Sequence, residues 1–131
     1  MRKNCSKVII ENFHEPCILY LLALKPSYGY EIKENLDHKC CCGVNIGNLY
    51  RCLSAMQKAG YVTRQSQKSS TQSKPGPDRK LYRLTSKGMK LLEKWIGELD
   101  AASKTINKFI NNYKKYAANY PKGVRHGSRT V

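Results

Sequence analysis

Apolar residues in the first third of the chain recur at intervals of three and four, the spacing of an amphipathic helix. Residues 13–24 predict the first helix, and Pro26 predicts its end, because proline disfavours helical backbone in the preceding residue. A second helix is expected over residues 28–37, with Ile32 and Leu36 one turn apart on its buried side. The apolar face of the first helix consists of Ile18, Leu21, Leu22 and Leu24.

A third helix is expected between Asn45, a favourable N-cap, and Gly60, a favourable C-terminal stop. Two short helices with a brief connection, the second polar and basic outside, predict a helix-turn-helix. The buried stripe of the third helix is expected to consist of Ile46, Leu49, Leu53 and Met56. Its outer face carries Asn48, Arg51, Gln57 and Lys58, with Tyr50 at the edge.

Large and polar residues alternate in two later segments, 61–64 and 81–85, as is typical of β-strands. Residues 69–78 lie between them and are polar and rich in turn-forming residues. The two segments therefore predict a β-hairpin with a long basic tip, which would form the wing of a winged helix.

A long helix is expected from residue 85 or 86 to about 118, because no proline interrupts this segment and its apolar residues repeat by sevens. One series is Leu92, Leu99, Ile106 and Tyr113, and the other is Trp95, Ala102, Phe109 and Tyr116. Interleaved heptad series predict a helix that packs against another helix. The expected partner is the same helix of a second chain; the alternative is a helix folded back on its own domain.

These elements predict a mainly α fold with a small β-hairpin. A winged helix-turn-helix DNA-binding domain is expected over residues 1–85 and a C-terminal dimerisation helix over residues 86–118. Residues 119–131 contain proline, glycine and basic side chains, and we expect them to form a disordered tail.

The charge of the chain is strongly positive, at +15, with 24 Lys and Arg against 9 Asp and Glu. Residues 61–90 carry eight basic side chains and one acidic side chain, and residues 101–131 carry seven basic and no acidic side chains. Such segments favour a polyanionic partner such as double-stranded DNA. The alternative is a solvated basic surface that keeps the protein soluble.

The compartment is expected to be the cytoplasm, with no membrane partner. No stretch approaches the roughly 20 apolar residues of a membrane span, and the N-terminal residues lack the apolar segment of a signal peptide. We therefore expect the six cysteines to be mostly reduced thiols rather than disulfides.

Four stretches of the chain together resemble the PadR family of bacterial transcriptional regulators, in the short-chain branch with a single C-terminal helix. The resemblance implies a homodimeric winged-helix repressor that a small effector releases from its operator. The stretches are Leu21-Leu22-Ala23-Leu24 to Tyr28-Gly29-Tyr30-Glu31-Ile32; Gly47-Asn48-Leu49-Tyr50-Arg51-Cys52-Leu53; Gly60-Tyr61-Val62; and Arg79-Lys80-Leu81-Tyr82-Arg83-Leu84-Thr85-Ser86-Lys87-Gly88, followed by Trp95.

The third helix is the candidate for the major groove, where Asn48 and Arg51 could meet base edges or phosphates. Tyr50 either donates to a phosphate or is a half-buried core residue. At the start of the second helix, amides and hydroxyls could meet backbone phosphate, although Tyr30 could equally be packing. The expected DNA contacts there are Tyr28 and Tyr30, and those of the wing are Lys74, Arg79 and Lys80, whose alternative is ordinary loop charge.

Trp95 has two interpretations. A large aromatic residue at a heptad position is more often part of a core than of a site. The resemblance implies instead that Trp95 lines an effector pocket at the dimer interface and stacks on planar apolar compounds.

Three consecutive cysteines, Cys40, Cys41 and Cys42, depart from the PadR pattern and indicate a thiol-based effector site, because thiolates bind soft ions strongly. Three sulfurs would suit trivalent arsenic or antimony. Tetrahedral zinc or cadmium would need a fourth ligand, for which His38 is close in sequence. The alternative is that these cysteines are small buried apolar residues.

A regulator is favoured over an enzyme, because the sequence shows no nucleophile with a base and an orienting group, and no cofactor loop. No obligatory cofactor is expected. An architectural DNA-binding protein without an effector is the other alternative, and it would bind DNA without sequence preference.

Overall fold

A computed structural model describes residues 12–40, 44–67 and 79–119 of the 131-residue chain. The described part is mainly helical with a small antiparallel sheet, which confirms the predicted winged-helix fold. The elements are α1 (His14–Leu24), β1 (Ser27–Tyr28), α2 (Gly29–Asn35) with a π-helical turn (Leu36–Cys40), α3 (Ile46–Ala59), β2 (Val62–Gln67), β3 (Arg79–Leu84) and α4 (Ser86–Ala118).

The core forms around α1, which is buried on more than one side. Pro16 lies in the first turn of this helix, where a missing N–H is tolerated. The helix ends at Leu24 because Lys25, the residue before Pro26, is extended. The buried apolar residues are Cys17, Ile18, Leu19, Leu21, Leu22, Ile32, Leu36, Leu49, Leu53, Met56, Val62, Tyr82 and Leu92.

Two residues predicted to lie on buried helix faces are instead exposed, Leu24 by 55% and Ile46 by 49%. Each is the terminal residue of its helix, and the side chain extends past the end of the core. The helical period of apolar residues identifies the buried face of a helix, but it does not show where the neighbouring elements stop covering that face.

The second helix begins and ends differently from the prediction for residues 28–37. Tyr28 is extended and belongs to β1, and its backbone N–H donates to Oε1 of Glu31 at 2.8 Å. The π-helical turn continues α2 directly and carries the buried Leu36. This arrangement places the first residue of α2 immediately after a strand of the sheet.

Both predicted caps of α3 are present. Oδ1 of Asn45 accepts from the backbone N–H of Asn48 at 2.8 Å. Gly60 follows the last turn with a φ of 87°, in the left-handed region that favours glycine. Leu49, Leu53 and Met56 are buried as predicted, so the residues on the other side of α3 form its exposed face.

The sheet contains three strands in the order β1-β3-β2, all antiparallel, so the predicted hairpin gains a third strand. In the hairpin, Val62 pairs with Leu84 and Arg64 with Tyr82. On the other side of β3, Ser27 pairs with Tyr82. Because paired side chains share a face and alternate residues change face, Arg64 and Tyr82 lie on the face of Val62 that enters the core.

Thr85 joins the start of α4 to the end of α3. Its hydroxyl accepts from the backbone N–H of Gly88 at 3.0 Å. The same hydroxyl lies 2.7 Å from the carbonyl oxygen of Gly60 and 3.0 Å from that of Tyr61, and it can donate to either. Nζ of Lys87 also donates to the carbonyl oxygen of Ala59 at 2.8 Å, so Thr85, just before α4, and Lys87, in its first turn, bind carbonyl oxygens at and just after the end of α3.

The chain divides into two compact units, the first ending at Trp95 and the second beginning at Ile96. The predicted boundaries of the DNA-binding domain and the tail stay predictions. Within the second unit, α4 presents large apolar side chains on its surface. The exposed ones are Ile96, Ile106, Phe109, Ile110, Tyr113 and Tyr116.

Candidate nucleic-acid interface

The outer face of α3 presents a coupled pair of polar side chains. Nη1 of Arg51 donates to Oδ1 of Asn48 at 2.7 Å, one turn apart on the exposed surface. The hydrogen bond orients the guanidinium along the helix and leaves its other N–H groups free to donate to an incoming acceptor. A base edge or a phosphate in a groove offers such acceptors.

A second polar surface forms where β1, the start of α2 and β3 meet. The rings of Tyr28 and Tyr30 stack with their centroids 5.8 Å apart and their planes 3° apart. Cζ of Arg79 lies 5.6 Å from the centroid of the Tyr28 ring, within cation–π range. The structure therefore brings Arg79 to two predicted DNA contacts, Tyr28 and Tyr30, that are far from it in the sequence.

Tyr50 connects α3 to the first residue of α2. A Cβ at Gly29 would overlap the hydroxyl of Tyr50, and it would lie 2.7 Å from Cζ of that ring. A larger residue at position 29 would therefore push the Tyr50 ring aside. Tyr50 remains 42% exposed, so its phenol both packs on α2 and reaches the surface.

The two described basic residues predicted in the wing lie on opposite faces of the hairpin. Arg79 shares the face of Tyr28, whereas Lys80 shares the face of Tyr82. Nζ of Lys80 donates to Oγ of Ser66 at 2.9 Å. Lys74 lies outside the described residues.

The prediction from the sequence did not include Arg64, which the structure places beside Tyr82 on the core face of the hairpin. Burial raises the pKa of the Tyr82 hydroxyl, while a hydrogen bond and the charge of Arg64 lower it, and Tyr50 raises it further. The phenol of Tyr82 and the guanidinium of Arg64 are therefore in contact, with Tyr50 nearby.

Trp95 is half-buried against the core, and its indole Nε1–H donates to Oε1 of Glu15 at 2.8 Å. Burial, and secondarily the charge of Glu15, raises the pKa of the Cys52 thiol to about 11. Cys52 is consequently a neutral thiol at physiological pH. The role of Trp95 in an effector pocket stays a prediction.

The thiol site predicted from the sequence lies outside the described residues, except for the backbone of Cys40, which ends the π-helical turn. Cys41 and Cys42 are not described. Within residues 12–40, 44–67 and 79–119, no three His, Cys, Asp or Glu side chains are grouped closely enough to hold a metal ion. In the same residues, no helix is both long and apolar enough to cross a membrane.

Comparison with known proteins identifies a family. The model of the transcriptional regulator PadR-like family matches residues 18–94. A transcriptional regulator from Clostridium thermocellum is similar in structure, with a TM-score of 0.68 and 28% identity over 82% of this chain and 99% of that chain. A PadR-like transcriptional regulator from Bacillus cereus has a TM-score of 0.63 and 33% identity over 74% of this chain and 90% of that chain.

A third structure, that of Bacillus subtilis PadR in complex with operator DNA, has the same fold. Its TM-score is 0.58 and its identity 21%, over 67% of this chain and 48% of that chain. No curated protein matches the chain significantly.

Proposed function

Because the chain belongs to the PadR-like family of transcriptional regulators, we propose that it is a homodimeric repressor that binds operator DNA and is released by an effector. The observation that carries the proposal is the contact of Arg79 with the Tyr28–Tyr30 stack. It joins the wing to the start of α2 in one surface with a cation and two hydroxyls. The family consists of transcriptional regulators and not of enzymes.

In this proposal α3 enters the major groove, as the second helix of a helix-turn-helix does. Arg51, oriented by Asn48, reads base edges or phosphate. The tyrosines, Arg79 and Lys80 hold the phosphate backbone, and Lys74 extends this contact from the wing. DNA binding itself is supported by the similar fold of Bacillus subtilis PadR, which is in complex with operator DNA.

The test is a footprint on the DNA upstream of the protein's own gene, with titrations against that DNA and a random duplex at physiological salt. Operator binding that is at least tenfold tighter than random binding is expected. Arg79→Ala should weaken both duplexes alike, whereas Arg51→Ala should weaken the operator by about 1–3 kcal/mol and relax specificity. Equal affinities for the two duplexes would favour an architectural DNA-binding protein.

The homodimer is supported by the apolar side chains that the second unit leaves on its surface. Phe109 is 71% exposed and Tyr113 is 59% exposed, although both belong to the heptad series. Exposed aromatic residues in a regular heptad pattern are typical of a helix that pairs with another helix. Light scattering at micromolar concentration should therefore give twice the chain mass.

The effector we propose is a thiophilic metal or metalloid held by Cys40, Cys41 and Cys42. The π-helical turn that ends at Cys40 precedes α3 in the chain, so we expect a ligand at the triplet to change how α3 enters the groove. To release DNA, it must bind the free protein more tightly, typically by about 1–3 kcal/mol. Arsenite, antimonite, cadmium and zinc should be titrated under reducing conditions against the protein–operator complex.

Planar aromatic compounds should be titrated in parallel, because Trp95 offers the alternative effector site. Release by a thiophile that disappears when all three cysteines are replaced by serine supports the thiol site. Release by aromatic compounds alone, lost in Trp95→Ala, transfers the effector site to the helix interface.

A further inference from the structure

Arg64 is an exposed cation of β2. Within the described residues it forms no ion pair with a carboxylate, and neither β2 nor β3 contains an acidic residue. A guanidinium without a carboxylate partner keeps its charge and donors for another anion.

The position of Arg64 is set by the register of the hairpin. Arg64 is the direct cross-strand partner of Tyr82, so the two side chains lie side by side on one face. Tyr82 is only 2% exposed, and its ring is fixed in the core. Its hydroxyl accepts a hydrogen bond from the Arg64 guanidinium at the edge of that core.

The hairpin that carries Arg64 and Tyr82 lies beside α3, the recognition helix of the proposed function. The helix α3 packs against β2, the strand that carries Arg64, and Tyr50 of α3 contributes to the electrostatic environment of the Tyr82 hydroxyl. Lys80 comes two residues before Tyr82 in β3 and lies on the same face of the hairpin. Arg64 and Lys80 therefore form a basic edge beside α3, whereas Arg79 is on the other face of the hairpin.

We propose that Arg64 contacts a DNA phosphate between the recognition helix and the wing, and that Tyr82 is the residue that positions it. The proposal rests on the DNA-binding function proposed above. An arginine held by one hydrogen bond to a buried hydroxyl loses less rotamer freedom on binding, and its remaining N–H groups match a phosphate in geometry. Such a contact strengthens binding to every DNA sequence equally.

The experiment measures affinity for operator and random duplexes across a range of salt concentrations, using the full-length protein. Arg64→Ala should lower both affinities by about tenfold and reduce the salt slope by about 1. Lys94→Ala is the control: Lys94 is an exposed cation of α4 and lies outside both the hairpin and α3. It removes the same charge, and the salt slope should stay at the wild-type value.

Tyr82→Phe tests the positioning role, because it keeps the buried ring and removes only the hydroxyl. It should lower affinity several-fold in the wild-type background and have no further effect in an Arg64→Ala background. A purely structural role of the hydroxyl would lower affinity in both backgrounds and would refute the positioning role.

Equal salt slopes for Arg64→Ala and Lys94→Ala would overturn the phosphate contact. Failure of the wild-type protein to distinguish operator from random DNA would instead contradict the proposed regulator. In that case the salt slopes on random DNA still decide the role of Arg64, so the two failures are distinguishable.

Discussion

Replacing Gly88 by alanine tests the contact between the first turn of α4 and the end of α3. A Cβ at this position would overlap the carbonyl oxygen of Tyr61 and would lie 2.7 Å from Cδ1 of Leu84. The leucine methyl group can rotate away, but the carbonyl is held by the backbone N–H of Thr85 at 3.1 Å. The added methyl group must therefore displace α4 itself.

The size of the effect follows from two opposing terms. Overpacking against a fixed group costs about 1–3 kcal/mol, and a backbone obstacle favours the upper end. Alanine gains up to about 1 kcal/mol over glycine within a helix. We therefore expect Gly88→Ala to lower the free energy of unfolding by about 2 kcal/mol.

The assay is urea unfolding followed by circular dichroism, at one fixed protein concentration because association would make the apparent stability depend on concentration. Gly97→Ala is the control in the same helix, since the added Cβ would meet no other described residue within 4 Å beyond its chain neighbours and the backbone of its own helix. This substitution should raise the free energy of unfolding by up to about 1 kcal/mol. If Gly88→Ala stabilises the protein as Gly97→Ala does, the packing argument is wrong.

Three further predictions concern other parts of the chain. Gly29→Ala should lower the free energy of unfolding by about 1 kcal/mol, the lower end of the range for overpacking, because the methyl group displaces the half-exposed Tyr50 ring. The loss should vanish in a Tyr50→Ala background, and its persistence there would contradict the contact. Phe109→Lys should convert the dimer to a monomer in light scattering. Asn111→Lys adds the same charge outside the two heptad series and should leave a dimer. Equal masses for the two variants would argue against dimerisation through the heptad face of α4. With a pKa of about 11, Cys52 should stay a protonated thiol at pH 8 in the folded protein. Alkylation of Cys52 by iodoacetamide, followed by mass spectrometry, should be slow at pH 8 and accelerate as the pH approaches 11. Rapid modification of Cys52 in the folded protein at pH 8 would refute the raised pKa.

The helices could be predicted from the sequence because their periodicity is local information. α3 has both predicted caps, and α4 begins and ends within one residue of the predicted bounds. The strand β1 could not be predicted, since two residues show no alternation. It exists only because Ser27 and Tyr28 pair with β3, which is distant in the sequence.

The candidate site was predictable in residue type but not in arrangement. Arg79 and Lys80 are adjacent in the sequence, and only the strand register shows that they lie on opposite faces. Arg64 occupies a polar position of an alternating segment, which looks the same as any solvated strand residue. Its partner Tyr82 is defined by the register, which alternation alone does not determine.

The strand β1 has a consequence for the order in which the protein folds. The hairpin and the individual helices form from residues close in sequence, whereas the pairing of β1 with β3 must close a long loop. The stacked tyrosines and their contact with Arg79 are therefore expected to assemble late, after the wing has formed. A chain still emerging from the ribosome would already contain α1, α2 and α3, yet it would acquire the complete surface of Tyr28, Tyr30 and Arg79 only when β3 has been synthesised.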